Sequence, residues 1–292
     1  MGFLKSLFSG KEQTPEEKQK EEEAKNFDIF KYDGIRAARM GKFDYAIKCF
    51  REALKIRDDS ETRSHLWQAL VNTEDFDGAI DELRTLHGAT PDDLSILLNI
   101  AMVAYMKEDY NTMEEACEEA MATDSANPQV YYRSAQARMG KGNIDEGVEL
   151  LSKALSLQPS FAAALLLRGR TMLTKGDVKG AIGDAEKMLE ENPADEDALM
   201  LKAEAQQTGG DKAAAIATYG EVIAVNPFNA DAFRERASLR QEEGDEKGAE
   251  EDRRTLAELR PEEAADVSSE HSTEGVEYKV RKVLRDTNPL GI

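Results

Sequence analysis

The sequence predicts an all-α protein built from repeated helix pairs, and three observations carry the prediction. Pro91, Pro159, Pro193, Pro227 and Pro261 fall on one 34-residue ruler, with Ser125 at the vacant mark. Gly142, Gly176, Gly210 and Gly244 keep that interval at a second phase, and Met113, Gly147, Ala181, Ala215 and Ala249 keep it at a third. Between these marks the chain is rich in Ala, Leu, Glu, Lys and Arg, which lose little side-chain freedom in a helix. A fixed period of this length marks supersecondary units that stack on one another.

Taken in order, the chain opens with a charged extension or cap over 1–26, in which Thr14, Pro15, Glu16 and Glu17 have the pattern of a helix start. The array follows over 27–261, in units at 27–59, 60–93, 94–127, 128–161, 162–195, 196–229 and 230–263. Each unit reads as two short amphipathic helices joined by a turn. The phased glycine takes the positive φ of a helix C-terminus, and the phased proline stops the second helix. Small residues stand where helices approach closely: Gly34, Ala101, Ala135, Gly169, Ala203 and Ala237 on the first helices, and the Met113 to Ala249 series on the second. Trp67 departs from that rule, and the step from Ala46 to Ala79 is 33 rather than 34. An acidic linker over 262–273 leads to a C-terminal amphipathic helix with Val276, Val280, Val283 and Leu284 on one side and Lys279, Arg281, Lys282 and Arg285 on the other.

The period and the large-and-small alternation of Phe30, Gly34, Gly41, Ala46, Phe50, Ala53 and Leu54 resemble the tetratricopeptide repeat. The resemblance implies a right-handed superhelical solenoid of about seven helix pairs. It also implies that the first helices of successive units line a concave groove, where partner peptides or domains dock. On that geometry Leu98, Met102, Tyr105 and Met106 of unit three turn toward the groove. Tyr132, Gln136 and Met139 of unit four do the same, as do Leu166, Arg170 and Leu173 of unit five. The core places of units three and five are already filled by Leu97, Ile100, Ala101 and Ala104 and by Leu165, Gly169 and Met172. The groove side chains are therefore expected to lack internal partners. The expected ligand is an extended or helical segment with apolar anchors, and Arg170 would pair with its carboxylate or a backbone carbonyl. One subtype of the family grips chaperone C-termini with a set of Lys, Asn and Arg; Lys31 fits its first place, but Ile35 and His65 stand where Asn is needed.

Charge and composition exclude several function classes. A formal net charge of −20 opposes phosphate binding, so nucleic acid is not an expected partner. His65, His87 and His271 have no Cys or carboxylate companion at metal-ligand spacing, and Gly209 and Gly210 lack the spacing of a phosphate loop. The flanks are too short for a catalytic domain. We therefore expect no enzyme activity, no metal and no cofactor. Cys49 and Cys117 read as reduced core thiols, and no apolar run is long enough to span a membrane, so the expected location is cytoplasmic. The alternative is a peripheral membrane adaptor held by residues 1–10, where Gly2 and Ser6 fit an acylation pattern and Phe3, Leu4, Leu7 and Phe8 form an apolar face.

Overall fold

The computed structural model describes residues 14–260. Among them are fourteen α-helices and no strand. They pair as α1 (Pro15–Arg39) with α2 (Phe43–Ile56), α3 (Ser60–Asn72) with α4 (Phe76–Ala89), and α5 (Leu94–Met106) with α6 (Tyr110–Thr123). There follow α7 (Pro128–Gly140) with α8 (Ile144–Leu157), α9 (Ala162–Thr174) with α10 (Val178–Glu191), α11 (Glu196–Thr208) with α12 (Lys212–Val225), and α13 (Ala230–Glu242) with α14 (Glu246–Leu259). The seven pairs are those the period predicts. The proposed membrane contact at 1–10, the linker at 262–273 and the C-terminal helix at 276–285 lie outside the described residues.

Capping explains why the helices start where they do. Thr14 caps α1 in a capping box: its hydroxyl accepts from the Glu17 amide, and the Glu17 carboxylate accepts from the Thr14 amide. Most of the second helices begin on an aspartate repeated at the same period. Asp75, Asp177, Asp211 and Asp245 accept from the amides of Gly78, Gly180, Ala214 and Gly248, which satisfies an otherwise orphaned donor at each start. The turn before each second helix takes a positive φ at Gly41, Gly142, Gly176, Gly210 and Gly244. In the second and third pairs the residues in that conformation are Glu74 and Glu108.

The described residues form two compact units, 14–123 and 124–260. In the first, Gly34 faces the ring of Phe50 so closely that a Cβ would stand 2.5 Å from it, and Phe50 stacks on His65 with ring centroids 5.8 Å apart. Half-exposed Trp67 is too large to be enclosed at a place that holds Gly34 or Ala101 in the neighbouring pairs. In the second unit a continuous core runs from α7 to α11, with Leu151, Leu165, Leu167 and Leu201 at its centre. A second core, around Tyr219 and Val222, joins α11, α12 and α13. Arg168 ties three helices of the second unit together: it donates to Ser152 on α8 at 3.0 Å and to both carboxylate oxygens of Asp184 on α10.

Candidate functional site

In the second unit the first helices of neighbouring pairs touch directly, α9 against α11. Polar bridges join the helices of this unit. Arg170 on α9 donates to Asp197 at the start of α11 at 2.8 Å. Gln207 on α11 donates to Glu235 on α13 at 3.2 Å, and its carbonyl accepts from the Tyr219 hydroxyl on α12 at 2.7 Å. Tyr219 is wholly enclosed, and burial pushes its phenol far above the ordinary range, so it serves as a fixed donor that orients Gln207. Arg234 reaches Asp231 at 2.5 Å; burial opposes its charge, but Asp231 and Glu235 outweigh that and raise its pKa. The result is one face on which half-exposed Arg170, Leu173, Met200, Glu204 and Gln207 lie side by side.

The ten groove residues predicted from the sequence divide by burial. In the first unit, Met102 and Tyr105 are buried, whereas Leu98 and Met106 remain partly exposed. In the second unit, Arg170 and Leu173 are partly exposed, and Tyr132, Gln136, Met139 and Leu166 are buried. The expectation that these side chains lack internal partners therefore needs correction. The Tyr132 ring packs 5.2 Å from that of Phe161, and its oxygen accepts from Gln136, which in turn accepts from Arg133. Met139 lies over Gly147, where an added Cβ would come within 2.4 Å of its side chain. These side chains fill space left by glycine and alanine on the facing helices, a volume that helix periodicity does not report. Asp197, the partner of Arg170, escaped the sequence reading. Its signal was an opposite charge on the next first helix, two turns nearer that helix's start.

Lys31 is taken up inside the fold. Its ammonium lies 3.0 Å from Asp59 and 2.5 Å from Glu61, and 5.7 Å from the centre of the Phe27 ring. Burial alone would lower its pKa, but the bonds to Glu61 and Asp59 raise it. A lysine neutralised in this way cannot serve as the first member of a carboxylate clamp.

Two sequence models of the tetratricopeptide repeat match this chain, over 132–196 and 197–228. Over 132–228 the chain carries tetratricopeptide repeats. No curated protein matches it. Among solved structures it is similar to PilW, a type IV pilus biogenesis factor, with 17% identity over 72% of this chain and 98% of that one and a TM-score of 0.62. It is also similar to YrrB, a tetratricopeptide-repeat protein with an unusual peptide-binding site, with 17% identity over 64% and 97% of the two chains and a TM-score of 0.54. A repeat protein from Parabacteroides merdae aligns over 89% of this chain and 99% of its own, with 11% identity and a TM-score of 0.61. At these identities the likeness is one of fold. Among the described residues of this repeat protein, no helix is long and apolar enough to cross a membrane.

Proposed function

We propose that the chain is a non-enzymatic scaffold that holds a protein or peptide segment on the face of its first helices. In the second unit the contact residues are Arg170 and Leu173 with Glu204 and Gln207; in the first they are Leu98 and Met106. The observation that carries this reading is the seam between α9 and α11. There the Arg170–Asp197 bridge holds two helices side by side and leaves Leu173 half exposed beside polar side chains with fixed positions. Apolar anchors framed by oriented polar groups are what peptide grooves use. The net charge of −20 steers basic segments toward the surface and repels nucleic acid. The peptide-binding site named for YrrB is in keeping with this reading. It requires no cofactor and suits the cytoplasm, where Cys49 and Cys117, which are not joined in a disulfide, stay reduced.

The test is to select peptides from a displayed library on the full chain and measure their affinity by titration calorimetry. The expected ligands carry an apolar anchor and bind with Kd on the order of 1–100 μM. Arg170→Glu and Leu173→Asp should each weaken them at least tenfold while leaving the helical melt unchanged. Undiminished binding by both variants would move the site elsewhere, and a library that yields no ligand would remove the scaffold reading.

A further inference from the structure

The N-terminal end of the first unit is finished unlike the pairs that follow. Ile29 and Arg36 lie on a face of α1 whose counterparts are buried farther along: Thr62 and Ala69 on α3, Ile96 and Val103 on α5, Ala164 and Thr171 on α9, Ala198 and Ala205 on α11. On α1 that face is open, with Ile29 47% and Tyr32 60% exposed, and Tyr45 of α2 is 55% exposed near Asp33. The helix also runs on outward, and every residue from Pro15 to Asn26 is exposed. The last pair of the second unit ends differently: Glu235 stands where Leu167 and Leu201 are enclosed, and Arg253 where Ala185 and Tyr219 are enclosed. Repeat arrays solubilise a free end with polar residues in this way. Isoleucine and tyrosine left exposed on α1 mark a contact surface.

We propose that this face binds a second copy of the chain, the two α1 helices lying antiparallel about a two-fold axis between Asp28 and Ile29. The order of charges along the stripe selects that occupant. Antiparallel packing puts Glu21 opposite the second copy's Arg36, sets Lys25 beside its Tyr32 and Asp28, and brings the two Ile29 side chains together. Symmetry makes every pairing twice. A parallel arrangement would instead set each charge against its own kind. Arg36 has an existing contact at 3.6 Å with Asp33, and Glu21 has an existing partner of its own, but these groups are solvent-exposed, so the contacts cost little to exchange. The net charge of −20 opposes self-association in general, so the dimer depends on these matched pairs. A polar helix face with two apolar residues belongs to the small, transient class of interface, with Kd on the order of 10 μM.

Sedimentation of the full chain from about 1 to 200 μM, which brackets that Kd, should show a concentration-dependent dimer. Ile29→Glu should weaken it at least tenfold without moving the melt, because the side chain is exposed. Glu21→Arg and Arg36→Glu should each weaken it, and the two together should restore it. Under air oxidation Ile29→Cys should cross-link into a dimer, whereas Met40→Cys, at a site 62% exposed but off the axis, should not. A monomer at every concentration overturns the proposal, as does a dimer indifferent to Ile29→Glu or a double charge exchange that fails to restore it. A chain that dimerises only when it carries Phe3→Glu and Leu7→Glu also overturns it, and gives the face to the N-terminal segment instead.

Discussion

Arg168 holds Asp184 by two hydrogen bonds, Nε to one carboxylate oxygen at 2.8 Å and a terminal nitrogen to the other at 2.6 Å. Two repeats later Arg236 holds Asp252 in the same way, at 2.9 and 2.6 Å, with Arg240 adding a third bond at 2.8 Å. The pair between them is built differently: Lys202 stands at the arginine place and Thr218 at the aspartate place, and the Thr218 hydroxyl donates to Gln206. Asp184 and Asp252 are 2% and 3% exposed, so each carboxylate depends on its arginine for its charge to be tolerated.

Arg168→Met should therefore destabilise the second unit by about 3–5 kcal/mol, because it leaves a buried carboxylate without its cation. Replacing both members with leucine should recover most of that loss. Denaturant melts of the three variants test the point; a single substitution no worse than the double one would show that the ion pair does not hold α9 to α10.

Glu74 and Glu108 occupy the left-handed turn that glycine fills in the other five pairs, at φ 60° and 59°. A side chain there costs about 1–2 kcal/mol, while glycine gives back part of the gain as chain entropy in the unfolded state. Both glutamates are exposed, so no packing is lost with them. Glu74→Gly and Glu108→Gly should each stabilise the first unit by about 0.5–1 kcal/mol in urea melts, an outcome opposite to the usual effect of adding glycine.

Asp59 makes the first unit sensitive to acid. Burial alone would raise its carboxyl, but hydrogen bonds from the Thr62 hydroxyl, Lys31 and the Thr62 amide outweigh burial and hold it at about 2 against an ordinary 3.8. A carboxyl depressed on folding contributes stability that is complete above 3.8 and is lost as the pH falls toward 2. The contribution is on the order of 2 kcal/mol. Asp59→Asn keeps an N-cap oxygen for Thr62 but cannot titrate. Between pH 4 and pH 2 the stability difference between wild type and variant should therefore shrink; a difference constant over that window would detach Asp59 from the acid response.

The phased prolines from Pro91 to Pro227 and the phased glycines announce the repeats so plainly because each sits at a turn, where the backbone itself demands the residue. The unit starts at 60, 94, 128, 162, 196 and 230 read from the sequence are the first residues of α3, α5, α7, α9, α11 and α13. Glu74 and Glu108 leave gaps in the glycine ruler, because two turns keep the conformation without the residue that makes it easy. The candidate site was less legible. Helical spacing places Tyr132, Met139 and Arg170 on one side of their helices, but whether a side chain is enclosed depends on the volume facing it. Gly147 and Phe161 supply that volume from other elements. The bond from Arg170 to Asp197 likewise spans two repeats, beyond the reach of any single-helix pattern.

Ala181 tests the closeness of α9 and α10 directly. It is fully enclosed, and across from it a Cβ built on Gly169 would lie 3.6 Å from the Ala181 carbonyl oxygen, 3.3 Å from the Asp184 Cβ and 2.6 Å from a methyl of Leu201. Ala181→Leu forces a branched side chain into this gap, and overpacking of a tight core costs about 1–3 kcal/mol. Because a repeat contacts only its neighbours, the damage should stay local. Hydrogen exchange should quicken in α9, α10 and α11 and remain unchanged in α1 to α4. Gly169→Ala should act in the same direction but more weakly, since alanine's better helix propensity of about 1 kcal/mol offsets part of the clash with Leu201. Should Ala181→Leu leave both the melt and the exchange pattern untouched, α9 and α10 are not packed at this point as the repeat phase requires.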